Sequence, residues 1–240
     1  MIENYDLLAI PVVDAEQRLV GIVTVDDAID VIHDEAEEDF AVMAAVTPSE
    51  KEYIKTPVLE LFKARIPWLM LLMISATFTG MIISSFEEAL QFLPALTAFI
   101  PMLMDTGGNS GSQASVTIIR GISLNEIKFR DTLKVLWKEL RVSVLCGGAL
   151  AVVNFGKIIL VDGYLLHNAS ITGNLMIPLA VCLTLFITVV CAKLIGCSLP
   201  LLAKKIGFDP AVMASPFITT IVDAVSLLVY FQIAKALLLG

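Results

Sequence analysis

The 240-residue sequence has few of the side chains on which metal cofactors and disulfide frameworks depend, with only two histidines and four cysteines. Cys146, Cys182, Cys191 and Cys197 form no C-x-x-C pair and fall in or near apolar segments. We therefore expect free thiols among apolar groups, without a zinc site or disulfides. No phosphate-binding loop or nucleophile–base pair is recognisable, so the sequence predicts that the protein is not an enzyme.

Positive charge is scarce at the start of the chain. Residues 1–60 contain three bases and fifteen acids, whereas residues 61–240 contain thirteen bases and nine acids. An acidic segment of this kind is a poor partner for nucleic acid and a suitable surface for cations. The sequence therefore predicts an acidic soluble head followed by a chemically different body.

The body consists of long apolar runs. Apolar residues make up 57% of the chain and its mean hydropathy is +0.84, above the roughly 45–50% apolar content of soluble domains. A helix needs about 20 apolar residues to cross a bilayer, and five runs satisfy this. The sequence thus predicts an α-helical integral membrane protein with five transmembrane helices per subunit. The five runs are Ile66–Phe86, Ala89–Ile119, Val142–Val161, Ala169–Ala192 and Pro210–Ala234.

Bases between the runs predict the orientation. Twelve Lys and Arg residues precede the first run or follow the second and fourth, whereas the opposite ends carry only Lys157 and Lys235. Because Lys and Arg accumulate on the cytoplasmic side, we expect a multi-pass protein of the cell membrane with a cytoplasmic N-terminus and an extracytoplasmic C-terminus.

Two flanking stretches are expected to lie along the membrane surface without crossing it. One follows Thr56-Pro57, where an N-cap and a proline predict a helix start. The other, Lys128–Arg141, is basic and amphipathic, and Trp137 is an interfacial anchor. Both suit lipid headgroups, which makes membrane lipid an expected partner.

The last run carries an acid in an apolar context, Asp223. An ionised carboxylate at the centre of a membrane helix costs about 2.5–3.5 kcal/mol, so it usually faces a cavity, a partner or an ion. Ser215, Thr219 and Ser226 are predicted to share its helical face, forming an oxygen-bearing pore wall. The alternative is a structural ion pair of Asp223 with Lys193 or Arg120.

The second run contains a glycine-rich polar stretch, Pro101–Gln113. Glycines at this density disfavour a continuous helix, so we expect the helix to break there and face a wet cavity. Asp105, Asn109 and Gln113 follow helical spacing, and their oxygens suit Mg²⁺, Ca²⁺ or Mn²⁺. The alternative is close helix packing through the glycines, which leaves the polar side chains unexplained.

The head begins with two apolar strands, Ala9–Val13 and Leu19–Val25, followed by a helix for which Thr24 and Asp27 predict a capping box. Eight acids and no base lie between Asp26 and Asp39. Asp27, Asp30, Asp34 and Glu38 fall on one helical face, where divalent cations would relieve their repulsion. A solvated helical surface is the simpler explanation.

These features together resemble the MgtE family of magnesium channels. The resemblance lies in Pro101–Gln113 with Arg120-Gly121, in the stretch from Asp209-Pro210 to Asp223, and in Gly21–Asp27 before the acidic helix. It implies three parts: 1–33, the C-terminal half of a CBS domain; 34–55, an acidic connecting (plug) helix; and 56–240, a five-helix transmembrane pore domain. A CBS domain is about twice as long, so the chain is expected to be part of a longer protein in which this half binds no nucleotide.

The resemblance also implies a mechanism. The second and fifth spans of a homodimer would line the pore of a passive Mg²⁺ channel, with Mn²⁺ or Co²⁺ as further ions. Asp223 would hold the hydrated ion and Asn109 would help build the site, with Asp105, Thr219 and Ser215 as additional oxygen donors; the family has an asparagine where this chain has Ser215. Cytosolic Mg²⁺ on the head would favour closure.

The rival hypothesis is an ion-coupled secondary transporter, since broken helices with acids at the bilayer midplane are also typical of those proteins. The expected regulatory metal ligands are Asp27, Asp30, Glu38 and Asp39, with Asp6 as a further one.

Overall fold

The computed structural model describes residues 2–49, 51–165 and 173–238 of a mostly helical chain. A few side chains within these ranges, including that of Ser215, are not described. The first residues of the predicted fourth span, 169–172, also lie outside the described residues. All four cysteines are free thiols, as predicted.

The head is a small hairpin followed by a helix. After α1 (Ile2–Tyr5), strands β1 (Ala9–Val13) and β2 (Leu19–Thr24) pair antiparallel, and α2 (Val25–Met43) follows directly. The predicted capping box is confirmed: the backbone N–H of Thr24 donates to Asp27 Oδ2 over 2.8 Å, and that of Asp27 donates to Thr24 Oγ1 over 3.4 Å.

The acidic helix α2 differs in extent from the predicted connecting helix of residues 34–55. It begins at Val25 because the cap at Thr24 starts it there, and it runs without interruption across residues 33 and 34. It ends at Met43, because Ala45 takes a left-handed conformation at φ +54° and Pro48 follows shortly. The division of the head into two domains stays a prediction.

In the part of the chain that the structure describes, six further helices form the body, and four segments are long and apolar enough to cross a membrane. The helix α5 is not among the four, because its polar residues between Asp105 and Gln113 lower its hydropathy. Its 24 residues nevertheless make it about 36 Å long. A count of five spans therefore stays a prediction. The six helices are α3 (Val58–Ser85), α4 (Glu87–Phe92), α5 (Ile100–Ser123), α6 (Thr132–Lys157), α7 (Met176–Ile206) and α8 (Ser215–Leu238). The four segments are Val58–Ser85, Phe129–Leu165, Met176–Ile206 and Pro210–Leu238.

The prediction that the glycine-rich stretch breaks the second span is wrong. Residues Ile100–Ser123 form one continuous helix, and the break comes earlier, where the 3-10 turn Pro94–Phe99 separates α4 from α5. The helix survives because its glycines are buried against neighbouring helices. A Cβ at Gly107 would lie 2.8 Å from Thr188 and Ser226 side-chain atoms, and one at Gly111 would lie 2.6 Å from Ile218. Packing, the alternative explanation, accounts for the glycines.

The prediction of two separate surface helices is also wrong. The stretch after Thr56-Pro57 is the first part of α3, which continues through Pro67 to Ser85. Most of the basic stretch Lys128–Arg141 belongs to α6, which begins at Thr132 and continues to Lys157. In both places apolar side chains continue from the amphipathic turns into the span, and the helix continues with them.

The helices alternate in direction, so their ends gather at two ends of the bundle. The aromatic pairs Trp68–Phe217 and Phe86–Phe231 hold α3 parallel to α8. At one end, α2 packs on the last turns of α5 and on the 3-10 turn Pro210–Met213 that precedes α8. At the other end, the buried hydroxyl of Tyr230 donates to the Leu96 carbonyl over 2.9 Å and holds the turn before α5. The two helices that carry the polar groups, α5 and α8, therefore lie side by side, with contacts to α2 at one end and the Tyr230–Leu96 hydrogen bond at the other.

Candidate ion site

An open cavity of about 470 Å³ with several polar side chains in its wall lies between α5 and α8. Helical spacing places its polar groups, because Asp105 and Asn109 lie one turn apart on α5, and Thr219 and Asp223 lie one turn apart on α8. The cavity brings four of the five predicted metal-binding residues together. It is lined by Ile100, Pro101, Met104, Asp105, Gly108, Asn109, Thr219 and Asp223.

Contact between α5 and α8 depends on Gly108. A Cβ at this position would lie 2.9 Å from the Thr219 Cγ2 methyl, so only glycine lets the two polar faces approach this closely. The Thr219 hydroxyl donates to the Pro216 carbonyl over 2.9 Å, which leaves the lone pairs of its oxygen free to accept a further bond. The glycine thus sets the distance between the two walls of the cavity.

The charges in the cavity are all negative. Asp105 and Asp223 lie close enough to repel each other, and in the described part of the chain neither forms an ion pair with Lys or Arg. The alternative of a structural pair between Asp223 and Lys193 or Arg120 is therefore not what the structure has. Two carboxylates with an amide and a hydroxyl form a donor set that suits a hard divalent cation.

Three further residues were predicted on the polar faces of α5 and α8, and the structure gives a different result for each. The side chain of Ser215 lies outside the described part of the structure, although its backbone begins α8. Ser226 was predicted to line the same wall, but it is buried beside Gly107 and its hydroxyl donates to the Val222 carbonyl over 2.6 Å. Gln113 is exposed and lies outside the cavity. For Ser226, helical spacing gave the approximate side of the helix but not the neighbouring helix that covers it.

The predicted regulatory acids on the head are mostly in solvent. Asp6, Asp30 and Glu38 are exposed. Asp27 is also exposed and caps α2, and its hydrogen bonds from Thr24 lower the pKa of its carboxyl below the ordinary value. Asp27 therefore has a structural role that accounts for its position, whether or not it also binds a cation.

Asp39 is the exception, because it reaches the bundle. Ser123, at the end of α5, donates to its Oδ2 over 3.3 Å. Partial burial raises the pKa of the Asp39 carboxyl, and the nearby charge of Asp209 raises it further, against a smaller opposing effect of the Ser123 hydrogen bond. Asp209 precedes α8 and accepts from the Ala211 N–H over 2.8 Å. The sequence analysis did not identify Asp209 as a neighbour of Asp39, although the pair Asp209-Pro210 was a visible signal.

Comparison with known proteins bears on this arrangement. The profile of a family described as MgtE, divalent cation transporter, matches residues 100–233, which include both walls of the cavity. The chain belongs to the MgtE family. It is therefore a multi-pass membrane protein of a family of transporters, not of enzymes, as predicted.

Three curated relatives extend the match to nearly the whole chain. Each is called magnesium transporter MgtE: the Thermus thermophilus protein is 37% identical over 99% of this chain, the Bacillus subtilis protein 38% over 98%, and the Enterococcus faecalis protein 34% over 98%. The chain spans about half the length of these relatives, covering 50%, 50% and 49% of them respectively.

Proposed function

We propose that the chain forms the pore of a passive Mg²⁺ channel, with α5 and α8 as its walls. The observation that carries the proposal is the cavity in which Asp105 and Asp223 face each other without a basic partner among the described residues. In a membrane, two such charges are costly unless a cation or water compensates them. The relatives' printed names, which specify magnesium, support the choice of ion.

The ion would pass in hydrated form. Mg²⁺ loses its water reluctantly and usually binds proteins through one or two carboxylates while keeping several waters. A cavity of about 470 Å³ has room for such a complex. Asp223 and Asp105 would attract it, and Asn109 and Thr219 would accept hydrogen bonds from its waters. Mn²⁺ and Co²⁺, which accept similar ligands, are the further ions to test.

We also propose that the working unit is a homodimer. In the residues that the structure describes, no group of three or more His, Cys, Asp or Glu side chains is placed to hold a metal ion. A second copy facing the open cavity would double the carboxylates and enclose the path. The two-fold axis of such a dimer would lie beside α5 and α8.

Control of the pore would act through the contact of α2 with both wall helices. Asp39 meets the end of α5 and repels Asp209 at the start of α8. A cytosolic divalent cation near this pair would remove the repulsion and hold α2 against the pore entrance, which favours closure. Asp6, Asp27, Asp30 and Glu38 would add to the negative potential that attracts this cation. The twelve-to-two distribution of bases supports the assignment of this end to the cytoplasm of the cell membrane.

Recordings from the chain in planar bilayers test the channel against the coupled transporter. A channel predicts discrete single-molecule Mg²⁺ currents that persist without any counter-ion gradient. A secondary transporter predicts slow Mg²⁺ movement with a fixed stoichiometry to H⁺ or Na⁺, and that result would overturn the proposal. Liposomes without protein give the baseline for leak.

A further inference from the structure

A second charged feature lies at the end of the bundle where α2 packs, away from the cavity. Six exposed bases meet there from two helices, because the start of α6 lies beside the end of α7. The contact is explicit: the Lys205 ammonium lies 4.8 Å from the centre of the Phe129 ring, just before α6. The bases are Arg130, Lys134, Lys138 and Arg141 near the start of α6 and Lys204 and Lys205 at the end of α7.

These bases are poorly neutralised by the protein. Among the described residues, only Lys134 of the six forms an ion pair, with Asp131 at 3.8 Å, and its side chain is 86% exposed. Arg141 lies over the Trp137 ring at 6.0 Å, which is a weak contact for the guanidinium. The cluster therefore presents several unpaired positive charges in one place.

An exposed apolar stripe runs beside the bases. Phe129, Leu133 and Trp137 recur every fourth residue and are 48%, 81% and 60% exposed. The stripe continues along α6 through Leu145 (74%) and Val152 (75%) into the apolar part of the span. Charged groups at the end of a span, with apolar side chains leading from them along the helix, match a phospholipid with its headgroup and its acyl chains.

We infer that this surface binds anionic phospholipid, with the phosphate among the bases of α6 and α7 and the acyl chains along the stripe that includes Trp137. Charge complementarity favours this occupant over a zwitterionic lipid, because positive charges without protein partners attract net negative headgroups. The surface would hold the adjoining ends of α6 and α7 to the membrane while α5 and α8 enclose the ion path.

Trp137 makes the inference measurable, because the chain has only two tryptophans. In a Trp68→Phe background, which keeps an aromatic ring against Phe217, Trp137 is the sole tryptophan and is excited selectively at long wavelength. The protein is placed in vesicles with equal mole fractions of phosphatidylglycerol and phosphatidylcholine, and either lipid carries brominated chains. We expect brominated phosphatidylglycerol to quench Trp137 at least about twofold more than brominated phosphatidylcholine, an excess that falls at high salt.

Two matched variants decide whether the surface is specific. Arg130→Gln, Lys134→Gln and Lys205→Gln together should lower the excess of quenching by brominated phosphatidylglycerol, because they remove three of the six bases. Lys51→Gln, Lys55→Gln and Lys63→Gln remove the same charge near the start of α3 and should leave the excess intact. Equal quenching in the parent protein, or an equal loss in both triple variants, would overturn the inference. Inorganic phosphate should not displace the lipid; if it does, the surface is an anion site and not a lipid site.

Discussion

The acidic helix α2 and the wall helix α5 both carry carboxylates, but only α5 is packed inside the bundle. No residue of α2 is buried, whereas α5 buries twelve of its 24 residues, including three glycines in contact with α7, α8 or both. Water compensates the charges of α2 at little cost, so eight acids can follow one another closely. The single acid of α5, Asp105, is exposed where the cavity between α5 and α8 opens. The acids of the head therefore lie on a hydrated surface, whereas Asp105 and Asp223 of the bundle line a cavity.

The largest loss of stability is expected when the packing of the buried glycines between the helices is disturbed. A Cβ at Gly196 would overlap the Gly111 carbonyl of α5, whereas one at Gly148 meets nothing within 4 Å. We expect Gly196→Ala to destabilise the bundle by about 1–3 kcal/mol. Gly148→Ala, the matched control, should be neutral or stabilising by up to about 1 kcal/mol. Thermal unfolding in detergent measures both, and equal effects would show that the close contact between α5 and α7 is not needed.

A smaller effect is expected at the end of the bundle away from α2. Tyr230→Phe removes the hydroxyl that holds the Leu96 carbonyl and leaves that buried acceptor without its partner. We expect a loss of about 1–3 kcal/mol, at or below the loss for Gly196→Ala. Tyr164→Phe removes a hydroxyl from an exposed tyrosine and should change the unfolding midpoint little. If Tyr230→Phe is equally silent, the turn before α5 is held by packing alone.

The smallest effect concerns the contact between the two regions. The pKa of Asp39 is raised when α2 is docked, so the docked state binds the proton more tightly than the undocked state. Docking is therefore most stable at low pH and weakens as the pH rises from the ordinary value near 3.8 through the raised pKa. Because the pair is partly exposed, we expect less than about 1 kcal/mol.

Hydrogen exchange of the last turn of α2 measures this dependence, after correction for intrinsic exchange rates. Asp39→Asn should increase protection near neutral pH and remove the pH dependence. Asp30→Asn makes the same charge change on an exposed part of the same helix and should preserve it. A parent protein whose α2 becomes better protected as the pH rises would contradict the sign of the effect.

The sequence predicted the parts of the protein that depend on local chemistry. The hairpin Ala9–Thr24 and its capping box follow from two apolar stretches and from Thr24 and Asp27, and both are present. The polar residues of the cavity were also predicted from the sequence, because Asp105, Asn109, Thr219 and Asp223 are oxygen-bearing side chains in apolar runs.

What the sequence could not predict depends on neighbouring helices. The continuity of α5 follows from the contacts of Gly107, Gly108 and Gly111 with other helices, which no local pattern reveals. Ser226 was placed on the cavity wall by spacing, but Gly107 of α5 covers it. The proximity of Asp209 to Asp39 depends on the packing of α2 against the bundle, because the two acids are distant in sequence.

The most direct test of the ion path is Mg²⁺ uptake by liposomes that contain Asp223→Asn, compared with the parent chain and with Ser226→Ala. The asparagine keeps the shape but removes the charge that attracts the hydrated ion, so we expect uptake to fall about tenfold to a hundredfold. Ser226→Ala, on the same helix but outside the cavity, should stay within about twofold of the parent. Unchanged uptake in Asp223→Asn, with the protein folded, would contradict a path between α5 and α8.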